Sequence, residues 1–310
     1  MIVTLTLNPA IDRTIEVLNI NHHDVTMVEA THKDPAGKGI NVAKVLQAIN
    51  HPVIITGLLA GAQGAWIESA LSLTKSSQHW VQLNGETREN IKVFASADNT
   101  VIELNEKGPV ASADDIQKLF TMCDSLLQPK DILVCAGSLP QGLDDDTYKT
   151  IIERYHDRDI QMIIDTSKAP LEAAIKAKPT AIKPNRYELE LLANQTFKSD
   201  EEMLEYASHL AKTQVPYVFI SCGDQGAYAV SADHIFYQVP FKVPVKSTVG
   251  AGDAFVAGIA YGLEKAFTLD EMLHTASAMA TAAVMTEGTK PGTQAMIDYC
   301  YKNIQIRKVR

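Results

Sequence analysis

The 310 residues hold four cysteines, Cys123, Cys135, Cys222 and Cys300, far apart and never spaced as CxxC. That scarcity excludes a disulfide framework and a thiolate zinc site, and leads us to expect reduced, buried thiols. Histidine adds nothing. His22 and His23 are adjacent, while His32, His51, His79, His156, His209, His234 and His274 stand alone, so no i, i+4 pair can hold a metal or seed a triad. Positive charge is short as well: Lys plus Arg number 28 against 37 for Asp plus Glu, a formal net charge of -9. Such a field repels nucleic acid and anionic membrane, and a phosphate-bearing ligand would need local cations. No apolar run reaches a bilayer's thickness, and "MIVTLTLNPA" lacks the basic-then-apolar order of a signal peptide, so a cytoplasmic protein without membrane partners is expected. The basic tail "IQIRKVR" is a few residues long and reads as a solvated end.

What is present is core-forming material, 46% hydrophobic against 21% charged, enough for one large domain with an elaboration or for two domains. Short β-branched runs alternate with helical patterns: "VIITGLL" before "AWIESALSL", "DILVCAG" before "TYKTIIERY", "QMIIDTS" before "APLEAAIKA", and "PYVFISCG" after "DEEMLEYASHLAKT". Unbroken apolar strands separated by helices predict an α/β body with a parallel sheet covered on both faces. Ligands then bind beyond the carboxyl ends of the strands. Two stretches, 10–36 and 86–107, instead alternate polar and apolar residues, with a hairpin turn expected at Asp98-Asn99. They read as a small sheet forming a lid, or alternatively as edge strands of the main sheet.

"KSTVGAGDAFVAGI" at 246–259 places Gly250, Ala251 and Gly252 before Asp253, and apolar residues at helical spacing follow. Bare first-turn amides and the helix dipole make an anion site there, which glycine lets a ligand approach. Asp253 is then either an ordinary cap or a chemical group. "DPAGKGINVAKVL" opens a helix with a Gly-Lys-Gly turn, yet His32 and Gly39 stand where a P-loop needs Gly and Ser or Thr. Lys38 is left to hold a phosphate or a sugar hydroxyl, or merely to sit exposed at a helix start. "SCGDQGAY" ends a strand with Gly223 and Gly226 but is not a dinucleotide fingerprint, and the first strand runs into "NPAID", so a nicotinamide enzyme is disfavoured. A tight turn would use the same glycines. "IKPNRYELELL" sets Asn185 and Glu188 three apart, the spacing of a capping box; the same oxygens would suit a hydrated Mg²⁺ on nucleotide phosphates. A nucleotide wall, a metal pair, a sugar clamp and an anion cradle beside an acid are together the parts of phosphoryl transfer.

With those motifs in hand, the chain resembles the ribokinase-type, phosphofructokinase-B superfamily of sugar kinases, in its 1-phosphofructokinase and tagatose-6-phosphate kinase branch. The resemblance rests on "TLTLNPAID", "AGKGINVAKVL", "GETREN", "ELNEKGP", "AGSLPQG", "KPNRYEL", "SCGDQGA" and "STVGAGDAFVAG", and spans nearly the whole chain. It implies one ribokinase-like kinase domain over 1–310, a three-layer α/β/α fold with a mainly parallel sheet and a β-sheet lid inserted at about 10–36 and 86–107. It also implies ATP, Mg²⁺ and a ketohexose phosphate as ligands. By position, Asp253 resembles the base and the amides of Ala251, Gly252 and Asp253 the anion hole, opened by Gly250. Asp12, Gly37, Lys38 and Asn41 match the sugar segments, Arg88 and Asn90 the stretch facing the sugar phosphate, and Ser138 the nearby GSLP turn. Lys183, Asn185 and Glu188 match the phosphate and metal region, and Ser221 to Gly226 the nucleotide turn. The branch commonly carries Asn-Arg where Thr26-Met27 stands and a glycine where Ala36 stands, which bears on the sugar's identity. Fructose 1-phosphate is the expected acceptor, with tagatose 6-phosphate or a non-catalytic sugar-phosphate sensor as alternatives and a homodimer through the lid as the expected assembly. Position rather than an unusual pKa is what the reaction asks of Asp253.

Overall fold

The computed structural model describes residues 1–21, 23–71 and 76–310. His22 and the end of the predicted helical stretch at Ser72 and Leu73 lie outside them. The chain opens with β1 (Ile2–Thr6), β2 (Ala10–Val17), β3 (Val28–Ala36), α1 (Lys38–Ala48), β4 (Val53–Ala60), α2 (Gly61–Leu71) and β5 (Ser77–Leu83). It continues through β6 (Arg88–Ala95), β7 (Thr100–Asn105), α3 (Ala113–Leu126), β8 (Ile132–Ala136), α4 (Thr147–Tyr155), β9 (Gln161–Asp165) and α5 (Lys168–Lys176). β10 (Ala181–Ile182), α6 (Arg186–Ala193), α7 (Asp200–Thr213), β11 (Tyr217–Ser221), β12 (Ala227–Val230) and β13 (Ile235–Val239) follow. The chain closes with α8 (Ala251–Glu264), α9 (Leu269–Val284), α10 (Gln294–Asn303) and β14 (Gln305–Lys308).

The main sheet has ten strands in the order β14-β13-β12-β11-β10-β9-β8-β1-β4-β5. From β11 to β5 every pair is parallel, and β12, β13 and β14 complete one edge antiparallel. Alternate side chains of the apolar strands feed two cores. One packs against α3 to α7, the other against α1, α2, α8, α9 and α10, which makes three layers. Three cysteines are buried thiols as expected; Cys222 is only half-buried, because it lies in the turn after β11.

The alternating stretches do not extend the main sheet. They form a separate four-stranded sheet, β3-β2-β6-β7, in which β2 and β6 run parallel although Asp12 and Asn90 are 78 residues apart. β1 lies between β4 and β8, so the chain leaves its end in both directions. Such a reversal of strand order opens a crevice at the carboxyl ends.

Candidate active site

Gly250, at φ +83°, caps α8 from the left-handed region, where an L side chain would be strained. The helical ladder begins with Ala254 N donating to Gly250 O at 2.9 Å, so the amides of Gly252 and Asp253 precede it. Ala251 N is less free than the sequence suggests, since it leans on Thr248 O at 3.4 Å. Amides ahead of the ladder and the positive end of α8 together favour an anion here.

Asp253 is no cap. Its Oδ2 accepts from Asn41 Nδ2 at 2.8 Å, across 212 residues of chain. Gly37 caps α1, and the first turns of that helix carry Lys38 and Asn41 toward the start of α8. Burial, then the charge of Asp165, push the Asp253 carboxyl up to about 6, while the Asn41 hydrogen bond, Lys38 and Lys183 restrain it. Lys38 Nζ donates to Asp165 Oδ1 at 3.1 Å, and Lys183 Nζ stands 3.6 Å from the same oxygen. Burial alone would lower the Lys38 ammonium, but Asp165 and then Asp253 carry it above its ordinary value. A Cβ on Gly252 would lie 3.5 Å from Lys183 Nζ, which sets that ammonium beside the amide cradle.

A second group joins the small sheet to the body. Asp12 Oδ1 accepts from Asn90 Nδ2 at 2.9 Å. Arg88 donates from Nε and Nη2 to Asn8 O at 3.3 and 3.2 Å, and from Nη1 to Asn90 Oδ1 and Glu106 O, both at 3.4 Å. Asn8 Nδ2 in turn donates to Ser138 Oγ at 3.4 Å and to Leu139 O at 3.3 Å. Burial raises the Asp12 carboxyl, against the Asn90 hydrogen bond and the charges of Lys44 and Arg88. A cleft of 240 Å³ lies between Asp12, Asp34 and Asn90 on one wall and Val249, Gly288 and Thr289 on the other. The half-buried Lys44 donates to Pro35 O and feels Asp34, Asp12 and Asp253, so it links this group to the first.

The third group is Asn185, Ser221 and Gly223, on the wall of a 470 Å³ cavity. Ser221 N donates to Pro184 O at 3.1 Å, which brings the ends of β10 and β11 together. This cavity is the larger of the two; neither is lined by Asp253 or its lysines, but the smaller cleft reaches Val249, the residue before the Gly250 cap of α8. Gly226 stands apart, because its Cβ would lie 2.2 Å from Gln238 O. It closes the turn against β13, the ordinary use of a turn glycine. Asn185 and Glu188 form the complete capping box of α6, Glu188 N to Asn185 Oδ1 at 2.8 Å and Asn185 N to Glu188 Oε2 at 2.9 Å. That cap engages Oε2 alone of the Glu188 carboxylate, and each oxygen accepts more than one hydrogen bond, so the pair fits an Mg²⁺ held through its water shell.

Sequence reasoning passed over Asn8, Lys44 and Asp165. Asn8 lay within the quoted "LNPAID", and Lys44 one turn after Asn41. For Asp165 the signal was an acid closing the apolar run "MIID", at the end of a parallel strand where ligands bind.

Residues 5–296 match the family described as pfkB family carbohydrate kinase. A tagatose-6-phosphate kinase of Staphylococcus epidermidis is 34% identical over 313 aligned residues, covering 100% of both chains. A 1-phosphofructokinase of Haemophilus influenzae is 32% identical, over 99% of this chain and 98% of its own. Among solved structures, phosphofructokinase-2 of Escherichia coli superposes with a TM-score of 0.92 at 27% identity, over 97% of this chain and 98% of that one. With the ribokinase-like layers and the separate small sheet also in place, this chain belongs to the pfkB family of carbohydrate kinases.

Proposed function

We propose that the protein transfers the γ-phosphoryl group of ATP to the 6-hydroxyl of fructose 1-phosphate, giving fructose 1,6-bisphosphate and ADP. The observation that carries this reading is the buried Asp253, held by Asn41 at the mouth of an amide cradle and flanked by Lys38 and Lys183. Asp253 takes the proton of the sugar hydroxyl as its oxygen bonds to the γ-phosphorus. The bond from that phosphorus to the β,γ-bridging oxygen breaks, and ADP departs with the electron pair. The amides of Gly252 and Asp253, with Ala251 as a weaker third, hold the migrating group, and the two lysines offset its charge. Asp12, Gly37, Asn41, Asn90 and Ser138 orient the sugar, with Arg88 toward its phosphate. Asn185, Ser221 and Gly223 line the nucleotide. Mg²⁺, held through water by Asn185 and Glu188, would neutralise phosphate charge on the nucleotide.

On this reading residues 1–310 are one kinase domain, and the small sheet made from about 10–36 and 86–107 closes over the cleft as a lid. The enzyme works in the cytoplasm, where its phosphoryl donor is found, as a homodimer joined through that sheet. Tagatose 6-phosphate is the second reading, favoured by the Staphylococcus epidermidis relative; the exposed Met27 offers no charge to the phosphate of either sugar and does not separate the two.

ADP release is to be measured across a panel of ketose phosphates. Fructose 1-phosphate should give the highest kcat/KM; a higher value for tagatose 6-phosphate selects the second reading, and release with no sugar of the panel rejects both. Asp253→Asn should lower turnover by a factor of ~10³ or more, with ATP binding retained.

A further inference from the structure

The reaction above employs Asp253 but leaves unexplained a second acid sealed beneath it. Asp165 ends β9 and is 1% exposed. One oxygen, Oδ1, meets Lys38 Nζ at 3.1 Å and Lys183 Nζ at 3.6 Å, whereas Oδ2 forms no hydrogen bond among the described residues. A buried carboxylate is costly unless paired, and one partner would have sufficed to pair it. Two ammoniums from different elements, the first residue of α1 and the loop after β10, instead converge on a single oxygen at the start of α8. Released from it, both ammoniums would be free to turn to Asp253, whose charge each already feels.

We propose that Asp165 is a positioning residue for phosphoryl transfer: it holds the ammoniums of Lys38 and Lys183 at the amide cradle and keeps them from pairing with the base. The inference rests on Asp253 being that base. Asp253 is faced by Lys38 and Lys44 from α1, by Asp165 from β9 and by Lys183 after β10. Removing the Asp165 charge therefore takes away the one acid among these neighbours and frees two cations. Both changes favour ionised Asp253.

The test is Asp165→Asn, with Asp165→Ser as a second variant, each checked for folding by near-ultraviolet circular dichroism. In the unliganded protein the Asp253 carboxyl carbon, identified as the ¹³C resonance missing from Asp253→Asn, should titrate about one pH unit lower than in wild type. With fructose 1-phosphate and MgATP, the acid limb of kcat should move the same way, and kcat should fall about tenfold or more. Lys38→Met should cost little further in the Asp165→Asn background. An unmoved titration, or a Lys38→Met effect that is fully additive, overturns the proposal. If neither Asp165 variant folds, Lys38→Met in the otherwise intact protein decides, since it must lower kcat and raise the Asp253 titration; unchanged kcat sinks the idea. Near-normal turnover in Asp253→Asn would instead remove the underlying reading, so the two failures are distinguishable.

Discussion

A carboxylate that is 7% exposed and faces another acid is costly to keep ionised. In the folded protein Asp253 holds its proton up to about 6, against an ordinary value of 3.8. Below the ordinary value both folded and unfolded chains are protonated, and the acid carries no penalty. As pH rises through about 6 the folded protein must ionise a group that the unfolded chain ionised earlier, and the stability present at low pH is lost. The full cost is about 3 kcal/mol, at about 1.4 kcal/mol per pH unit. Asp253→Asn should therefore raise the thermal midpoint at pH 7.5 by a few degrees, with the difference shrinking toward pH 4. Calorimetry across that range checks it, and a variant less stable than wild type at pH 7.5 would mean that Asp253 is a structural anchor. With Asp253 as the proposed base, the same value predicts that turnover falls as pH drops through about 6, where expectation from position alone placed no particular demand on the pKa. Asn41, whose charged-acceptor hydrogen bond stabilises the ionised acid by about 1.5–3 kcal/mol, is what keeps the group usable at neutral pH.

At the scale of elements, the cradle depends on how closely α8 packs against α9. A Cβ on Gly258 would lie 2.3 Å from Ala276 Cα and 2.7 Å from Ala276 N, backbone that cannot rotate aside. Gly258→Ala should force α8 outward, destabilise the protein by about 1–3 kcal/mol and displace Asp253 from Asn41, lowering kcat as well. Gly223→Ala is the contrast. Its Cβ meets nothing within 4 Å, so only the left-handed φ of +59° is penalised, at roughly 1 kcal/mol. Equal losses in the two would refute close helix approach as the reason for Gly258. These features sort what the sequence revealed. The helix start after Gly250, the Asn185–Glu188 box and the alternation of β2 and β6 were legible because each is a local pattern of a few residues. The partner of Asp253 was not, since Asn41 is joined to it only by the fold. Asp165 was harder still: its role arises where α1, β9 and the loop after β10 meet, and nothing in its own neighbourhood separates it from any acid at a strand end.

For the whole molecule, the register of the small sheet decides what its two faces can do. Residues opposite one another share a face. Asp34, Asp12, Asn90 and Asn105 form one cross-strand row, and Asp12, Asp34 and Asn90 are also a wall of the cleft. The neighbouring rows, Arg13-Ile91-Leu104 and Ile15-Val93-Ile102, point the other way, and Leu104 and Ile102 are 55% and 38% exposed. The outer face also carries Arg13 and Lys33, both paired with Glu89, beside the apolar Ile15, Val93, Ile102 and Leu104. With β3 and β7 as edges that pair no further strand among the described residues, the sheet gains by burying that apolar part in a second copy. Leu104→Asp should then convert a dimer to a monomer on size exclusion with light scattering. It should also raise the sugar-phosphate KM several-fold while leaving that of ATP alone, because Asp12 and Asn90, proposed to orient the sugar, lie on β2 and β6 of the same sheet. A wild-type protein that is already monomeric, or a Leu104→Asp variant that stays dimeric, would move the interface off this face. A dimer lost with both KM values unchanged would mean that the sheet holds its inner row in place without help from a second subunit.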